Sequence, residues 1–216
     1  LPYGSLFASE TRTAFQVTPL QDSLREGDER IEFIVVKGNQ YTVDPSNFAG
    51  LTLKDPVPTV VDTLVDENDG DFSPGDVSLR EAIEGALAGT TITFASGLQG
   101  TITLNSQLSI DRNLTIDGLG ANLLSLSGNN ASRVFQINNG ATVTLEGLTI
   151  ANGFGNNLTG GGIENNGTLT ISNSRLTNNR ANYGAGINNT GSLTLLNSTI
   201  DNNTAIYGGG GINADM

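Results

Sequence analysis

The 216-residue chain carries 22 acidic against 10 basic residues, a net charge of −12, and has neither cysteine nor histidine. Such a field repels nucleic acid, and without those two residue types there is no disulfide, thiol nucleophile or thiolate metal site, nor the commonest general base. Only 15% of residues are charged while 28 are glycine, so polarity rests on Asn, Ser and Thr, which suit turns and strand faces better than helix interiors; an all-β protein is expected.

Residues 1–56 hold strand-like runs at 13–19, 30–37 and 48–54, separated by turn-rich pieces and without internal repetition, the pattern of an antiparallel sandwich. Three or four strands are too few to close a sandwich, so the region reads as a partial one, with more strands expected upstream. Residues 57–76 form a linker and acidic loop: "DPVPT" (55–59) is stiff, and "VDENDGDFSPGD" (65–76) gathers Asp66, Glu67, Asp69, Asp71 and Asp76. Hard cations favour several carboxylates. An EF-hand frame starting at Asp66 needs glycine where Asp71 stands, however, and the loop reads as solvated, with Asp76 favouring the start of the helix that follows. That helix, at about 78–88, places Leu79, Ala82, Ile83, Ala86 and Leu87 at helical spacing, with Ser78 and Glu81 as a capping box and Gly89 as its stop. It is expected to cover the first turn of the domain that fills residues 77–216. Gly85 weakens it by about 1 kcal/mol relative to alanine, so it depends on docking.

From about residue 140 the chain repeats itself. "GTLTISNSRLTNNRANYGAGINN" (167–189) returns as "GSLTLLNSTIDNNTAIYGGGGIN" from Gly191, and a preceding copy begins at Gly140. Superposing the copies aligns Val143, Leu169 and Leu193; Leu145, Ile171 and Leu195; Ile150, Leu176 and Ile200; and Ile163, Ile187 and Ile212. Fainter copies occur in "TITF" (91–94), "GTITLNSQLSI" (100–110), "NLTIDG" (113–118) and "ANLLSLSG" (121–128). Apolar residues alternate within each copy, the period of a strand with one buried face. Short strands separated by Asn/Gly turns in a repeat of this size describe one turn of a parallel β-helix. A single turn buries too few aliphatic side chains to offset the ordering of its backbone, so stability accrues only over several stacked turns. Asn178, Asn179, Asn202 and Asn203 are expected to occupy left-handed or amide-stacking positions, and Gly184, Gly186, Gly208 and Gly210 tight corners.

The run "VSLREAIEGALAGTTITFASGLQGTITL" (77–104), with the repeats that follow, resembles the right-handed, single-stranded parallel β-helix proteins of bacterial surfaces that carry a "CSLREAI" entry motif and polymorphic outer-membrane-type repeats. Val77 stands where that motif often has Cys. Residues 11–56, through "VTPLQDSLREGDERIEF" and "AGLTLKDP", resemble the C-terminal half of a Calx-β domain. In calcium-binding members of that family, acidic residues of this loop and of the last strand's end hold the ion. Carried onto this chain, the resemblance implies Asp22, Glu26, Glu29 and Asp55 as calcium ligands, with Lys54 where binders often have another acid.

Parallel β-helices also include polysaccharide lyases and glycoside hydrolases, which need clustered acids or two carboxylates at a set separation. The repeats offer only Glu146, Glu164, Asp201 and Asp215 as acids, no two of them in one column, with Arg175 aligned to Thr199 on an outward position. The outward threonines of 142–144, 168–170 and 192–194 make a flat array of the kind ice-binding solenoids use, although Thr is also a favoured strand residue. The expected protein is therefore a non-catalytic, adhesin-like stalk, extracellular or at the cell surface, with carbohydrate or a surface protein as partner. No apolar run reaches the roughly 18 residues of a membrane span. A carbohydrate-active enzyme is the first alternative and ice binding the second. A start without Met and a stop inside a repeat give the expectation of a segment of a longer protein.

Overall fold

The computed structural model describes residues 57–155 and 159–214, together with the backbone of two short strands, Glu29–Ile31 and Leu51–Leu53. The chain divides into two compact units, Leu1–Asp55 and Pro56–Met216. In the first, the two short strands pair antiparallel, Glu29 opposite Leu53. They overlap the runs expected at 30–37 and 48–54, while the run at 13–19 lies outside the described residues.

The second unit is a parallel β-solenoid of about five turns, each turn giving one strand to each of three sheets. The first sheet stacks Val60–Val61, Thr90–Phe94, Leu114–Asp117, Thr142–Glu146, Thr168–Ser172 and Ser192–Leu196. The second stacks Gly100–Thr103, Leu124–Ser127, Thr149–Ala151, Arg175–Thr177 and Thr199–Asp201. The third stacks Leu108–Ile110, Phe135–Ile137, Ile163–Asn165, Ile187–Asn189 and Ile212–Ala214. All four apolar columns read from the repeats are in register, as in Val143 beside Leu169 beside Leu193 and Ile163 beside Ile187 beside Ile212. Each strand hydrogen-bonds its counterpart one turn away, so like residues lie about 4.8 Å apart and fill one continuous core. Paired positions in successive turns are 24 to 29 residues apart.

Two elements escaped the repeat pattern. Phe135–Ile137 supplies the third sheet in the second turn, and Phe135 is fully buried beneath Ile163. In the last two turns an extra pair of parallel strands, Arg180–Tyr183 and Thr204–Gly208, forms between the second-sheet and third-sheet strands in chain order.

The helix occupies Leu79–Gly85, shorter than the expected 78–88, and its capping box is formed: Glu81 N–H donates to Ser78 Oγ at 3.1 Å and Ser78 N–H to Glu81 Oε2 at 3.1 Å. Leu79, Ala82, Ile83 and Ala86 join the core, but Leu87 is 79% exposed. The helix stops because Ala86 turns to an extended conformation (ψ 140°), which takes Leu87 off the apolar face; Gly89, left-handed at φ 87°, lies beyond that break. Gly85 has a packing reason. A Cβ there would meet the Val57 side chain, Cγ1 at 2.6 Å. Gly85→Ala, normally stabilising in a helix interior, is therefore expected to lower stability by about 1–3 kcal/mol, read as a shifted midpoint in urea unfolding.

The corners follow the repeat. Asn152, Asn178 and Asn202 stack in left-handed conformations (φ 51°, 57° and 53°). Gly184 is left-handed at φ 56°, and its counterpart in the last turn is Gly209 (φ 62°), one residue beyond the expected Gly208, which ends a strand. Gly186 and Gly210 are not left-handed; Gly186 is glycine because a Cβ would strike the carbonyl of Gly211 in the next turn.

Candidate functional site

Of the residues implied as calcium ligands, Asp22, Glu26 and Asp55 lie outside the described residues, and Glu29 opens a strand described by its backbone alone.

The acidic loop is less solvated than its sequence implies. Asp66 is buried, its carboxylate gripped by Arg80 through Nε–H to Oδ1 and Nη2–H to Oδ2, both 2.8 Å, and by the Asn105 backbone N–H at 2.6 Å. Asp62 accepts from the backbone N–H groups of Gly75 and Val77 at 2.8 Å, and Val77, at the motif's Cys position, is fully buried. Glu81 accepts from Gly70 N–H as well as from its own cap. These carboxylates hold the loop against the helix. Glu67 and Asp76 remain side by side. Desolvation, with Asp76, Asp69 and Glu81 nearby, pushes the Glu67 carboxyl up from its ordinary 4.5; desolvation, with Asp71 and Asp69, likewise raises Asp76. Glu67 Oε1 is enclosed with no hydrogen-bond partner among the described residues, and a proton on Glu67 would let it donate to Asp76. A folded-state pKa raised above the unfolded one contributes stability at low pH that is lost as pH rises through it. Glu67→Gln is therefore expected to flatten the decline in stability on going from below pH 4.5 towards neutrality, checked by denaturant titrations across that range.

On the first sheet, outward residues form a longer array than the repeats alone indicate. Thr91, Thr115, Thr144, Thr170 and Thr194 are successive partners in one ladder, flanked by Thr142, Thr168 and Ser192 in the next outward column. The second sheet carries a similar column of Thr101, Ser125, Thr149, Arg175 and Thr199. Within the repeats from 140 onward Glu146, Glu164 and Asp201 stand in separate columns, as expected, but the turn before them adds Asp117 as a direct partner of Glu146, so one outward column carries two acids. The positions above them in that column are Ser172 and Leu196, and Glu146 accepts from Asn173 Nδ2–H at 3.0 Å. The pair was hidden because Asp117 belongs to a faint copy, outside the repeats from 140 onward.

The middle residues of the third sheet form a polar column of Ser109, Gln136, Glu164, Asn188 and Asn213. Glu164 is buried, accepting from Thr159 Oγ1–H at 2.7 Å and Asn188 Nδ2–H at 2.8 Å, with Arg133 Nη2 at 3.6 Å. Arg133 also donates to the carbonyls of Gly160 and Thr159 and to the side chains of Gln136 and Gln107, spanning three turns. Burial lowers the guanidinium pKa from its ordinary value, against the opposing pull of Glu164. Every polar atom of this ion pair is engaged in joining turns.

Arg175 and Asp201 make an exposed bidentate pair, Nε–H to Oδ1 at 3.1 Å and Nη2–H to Oδ2 at 2.7 Å, which holds Asp201 below the usual carboxylate range. On the extra strands Tyr183 and Tyr207 stack with ring centroids 5.5 Å apart, both exposed, and Ile206 beside them is 67% exposed. A shallow cleft lined by Phe154, Arg180, Ala181, Thr204 and Ile206 lies on the same strands.

The three-sheet stack of in-register parallel strands defines a parallel β-solenoid protein. No protein-family model, curated protein or solved structure matches the chain.

Proposed function

We propose that the protein is a non-catalytic, adhesin-like scaffold of an extracellular or cell-surface location, its solenoid presenting polar ladders to a carbohydrate or a surface protein. The proposal includes the finer architecture that the resemblances imply: a right-handed helix of the "SLREAI" class, closed at one end by Leu79–Gly85 and preceded by part of a Calx-β module. One observation carries the functional reading. Arg133 and Arg175, the arginines that reach the solenoid's polar columns, are spent on Glu164 and Asp201 in contacts between turns, and Arg80 on Asp66 between helix and loop, while the central outward column of the first sheet is a row of threonines. That column offers hydroxyls at a fixed spacing, and the Asp117 and Glu146 carboxylates stand in a separate outward column of the same sheet.

The test is retention of the chain on immobilised polysaccharides and surface proteins, with the Thr144→Lys/Thr170→Lys variant as probe. Binding that falls at least tenfold with unchanged melting temperature supports a contact face on the first sheet. Cleavage of a polysaccharide that disappears in Asp117→Asn or Glu146→Gln would overturn the reading in favour of a carbohydrate-active enzyme. The unbroken five-threonine ladder favours a second reading, binding to an ordered water surface; thermal hysteresis abolished by the same lysine variant would establish it, and its absence removes it.

Calcium remains part of the proposal at Asp22, Glu26, Glu29 and Asp55. A ligand that binds only the native state stabilises it by mass action, by about 2.7 kcal/mol at a hundredfold excess over Kd, and so raises the melting temperature. Calcium titration of the full chain is expected to raise the transition of the first unit, and the combined substitution of those four acids by Asn and Gln to remove the rise.

A further inference from the structure

We infer that Asn139–Gly140 is a site of spontaneous covalent modification, where the backbone closes on its own side chain to a succinimide that opens to aspartate or isoaspartate, while the fold restrains the chain's other Asn–Gly pairs. In such a pair the glycine nitrogen is the nucleophile and the asparagine Cγ its target. Glycine brings no Cβ into the path and lets the peptide plane between the two residues turn. The reaction therefore needs a nitrogen without a hydrogen-bond acceptor and room for that plane to move.

The sequence places glycine after Asp or Asn at Gly70, Gly118, Gly140, Gly153 and Gly167. Four of these nitrogens are occupied. Gly70 N–H donates to Glu81 Oε1 at 3.0 Å and Gly118 N–H to the Glu146 carbonyl at 2.8 Å. Gly153 N–H donates to Asn179 Oδ1 at 2.7 Å and Gly167 N–H to Asn165 Oδ1 at 3.2 Å, so the same buried amides that join the turns hold both nucleophiles. Space is also closed there: a Cβ would strike the Gly161 carbonyl at Gly153 and the Ala141 carbonyl at Gly167, the latter at 2.5 Å. The target side chains are engaged as well, Asn152 Nδ2–H donating to Ser127 Oγ at 3.3 Å and Asn166 Oδ1 accepting from Thr190 Oγ1–H at 2.8 Å.

Gly140 has none of these restraints. Among the described residues its N–H has no acceptor and the Asn139 carboxamide no partner; both residues are exposed, and no heavy atom lies within 4 Å of where a Cβ would stand. Gly140 is left-handed at φ 87°, in a turn closed by Ala141 N–H donating to the Asn138 carbonyl at 3.1 Å. The Gly140 nitrogen gives its proton to solvent base and bonds to Asn139 Cγ; the Cγ–Nδ2 bond breaks, and Nδ2 takes a proton from solvent and leaves as ammonia. Water then opens the ring at either carbonyl, to aspartate or, with the backbone rerouted through Cγ, to isoaspartate. The new carboxylate stands three residues before Thr142 in the flanking threonine column, so the modification adds a negative charge at the edge of the first sheet's outward face.

The experiment ages the full chain in mildly alkaline buffer, folded and in concentrated urea, and follows the three Asn–Gly pairs by peptide mapping with mass spectrometry. In the folded chain Asn139 is expected to convert at least tenfold faster than Asn152 and Asn166, a difference of about 1.4 kcal/mol in barrier, with isoaspartate among the products. In urea the three are expected to convert within threefold of one another. Folded rates at Asn139 no greater than at the other two would overturn the inference. An equal preference for Asn139 in urea would do the same, since the fold would then not be the cause, and a product holding aspartate alone would replace ring closure with direct attack by water.

Discussion

Asn179→Ala is expected to lower the stability of the solenoid by about 3–4 kcal/mol, among the largest effects of any single polar substitution in it. Asn179 is fully buried, and its side chain touches three turns at once. Oδ1 accepts from Gly153 N–H in the turn below; Nδ2–H donates to the Ile150 carbonyl at 3.1 Å and to Asn203 Oδ1 at 2.9 Å in the turn above. Alanine strands a buried donor and a buried acceptor, each costing about 1–3 kcal/mol, and opens a small void. Urea unfolding followed by circular dichroism gives the number. Asn202→Gly is the control, because that residue is exposed and left-handed at φ 53°, a conformation glycine adopts freely. A loss at Asn179 no larger than that at Asn202 would mean the ladder of amides contributes little.

Asp66→Ala is expected to cost about 3–5 kcal/mol, because it leaves a largely buried guanidinium without its anion. The Asp66 and Arg80 side chains are 1% and 14% exposed, and Asp66 also fixes Asn105 through its backbone N–H, while Arg80 donates to the Ser106 carbonyl at 2.8 Å. The pair thus ties the acidic loop and helix to the connection between the second and third sheets of the first turn. Asp111→Ala removes a pair whose side chains are 62% and 37% exposed, and such surface pairs are worth about 0–1 kcal/mol. The contrast between the two variants in thermal melts distinguishes a buried clamp from an ordinary surface contact.

What could be read in the sequence follows from what repeats. Leu169 and Leu193 occupy equivalent places in turns of equal length, so stacking them needs only their spacing, and all four apolar columns are in register. Phe135–Ile137 was not legible because the second turn holds 29 residues between bonded counterparts and its third strand, "FQI", has no echo elsewhere. The Asp117 and Glu146 pair was missed because Asp117 lies in a faint copy, before the repeats from 140 onward. The acidic loop was misjudged on other grounds. Composition marks Asp66 as solvated, and only the fold brings Arg80, fourteen residues on, and Asn105, thirty-nine residues on, to its carboxylate. Leu87 fits a helical period, yet the period says nothing of a backbone that turns extended at Ala86.

The parallel ladders have a mechanical corollary. Their hydrogen bonds run along the stacking direction, so tension applied through the two ends of the solenoid meets one layer of bonds at a time. Turns would come away singly, each paying out a thread of 24 or more residues, about 80 Å when drawn straight. The layers cross-linked by Asn179 and Arg133 should let go last. A solenoid built this way lengthens in steps under load.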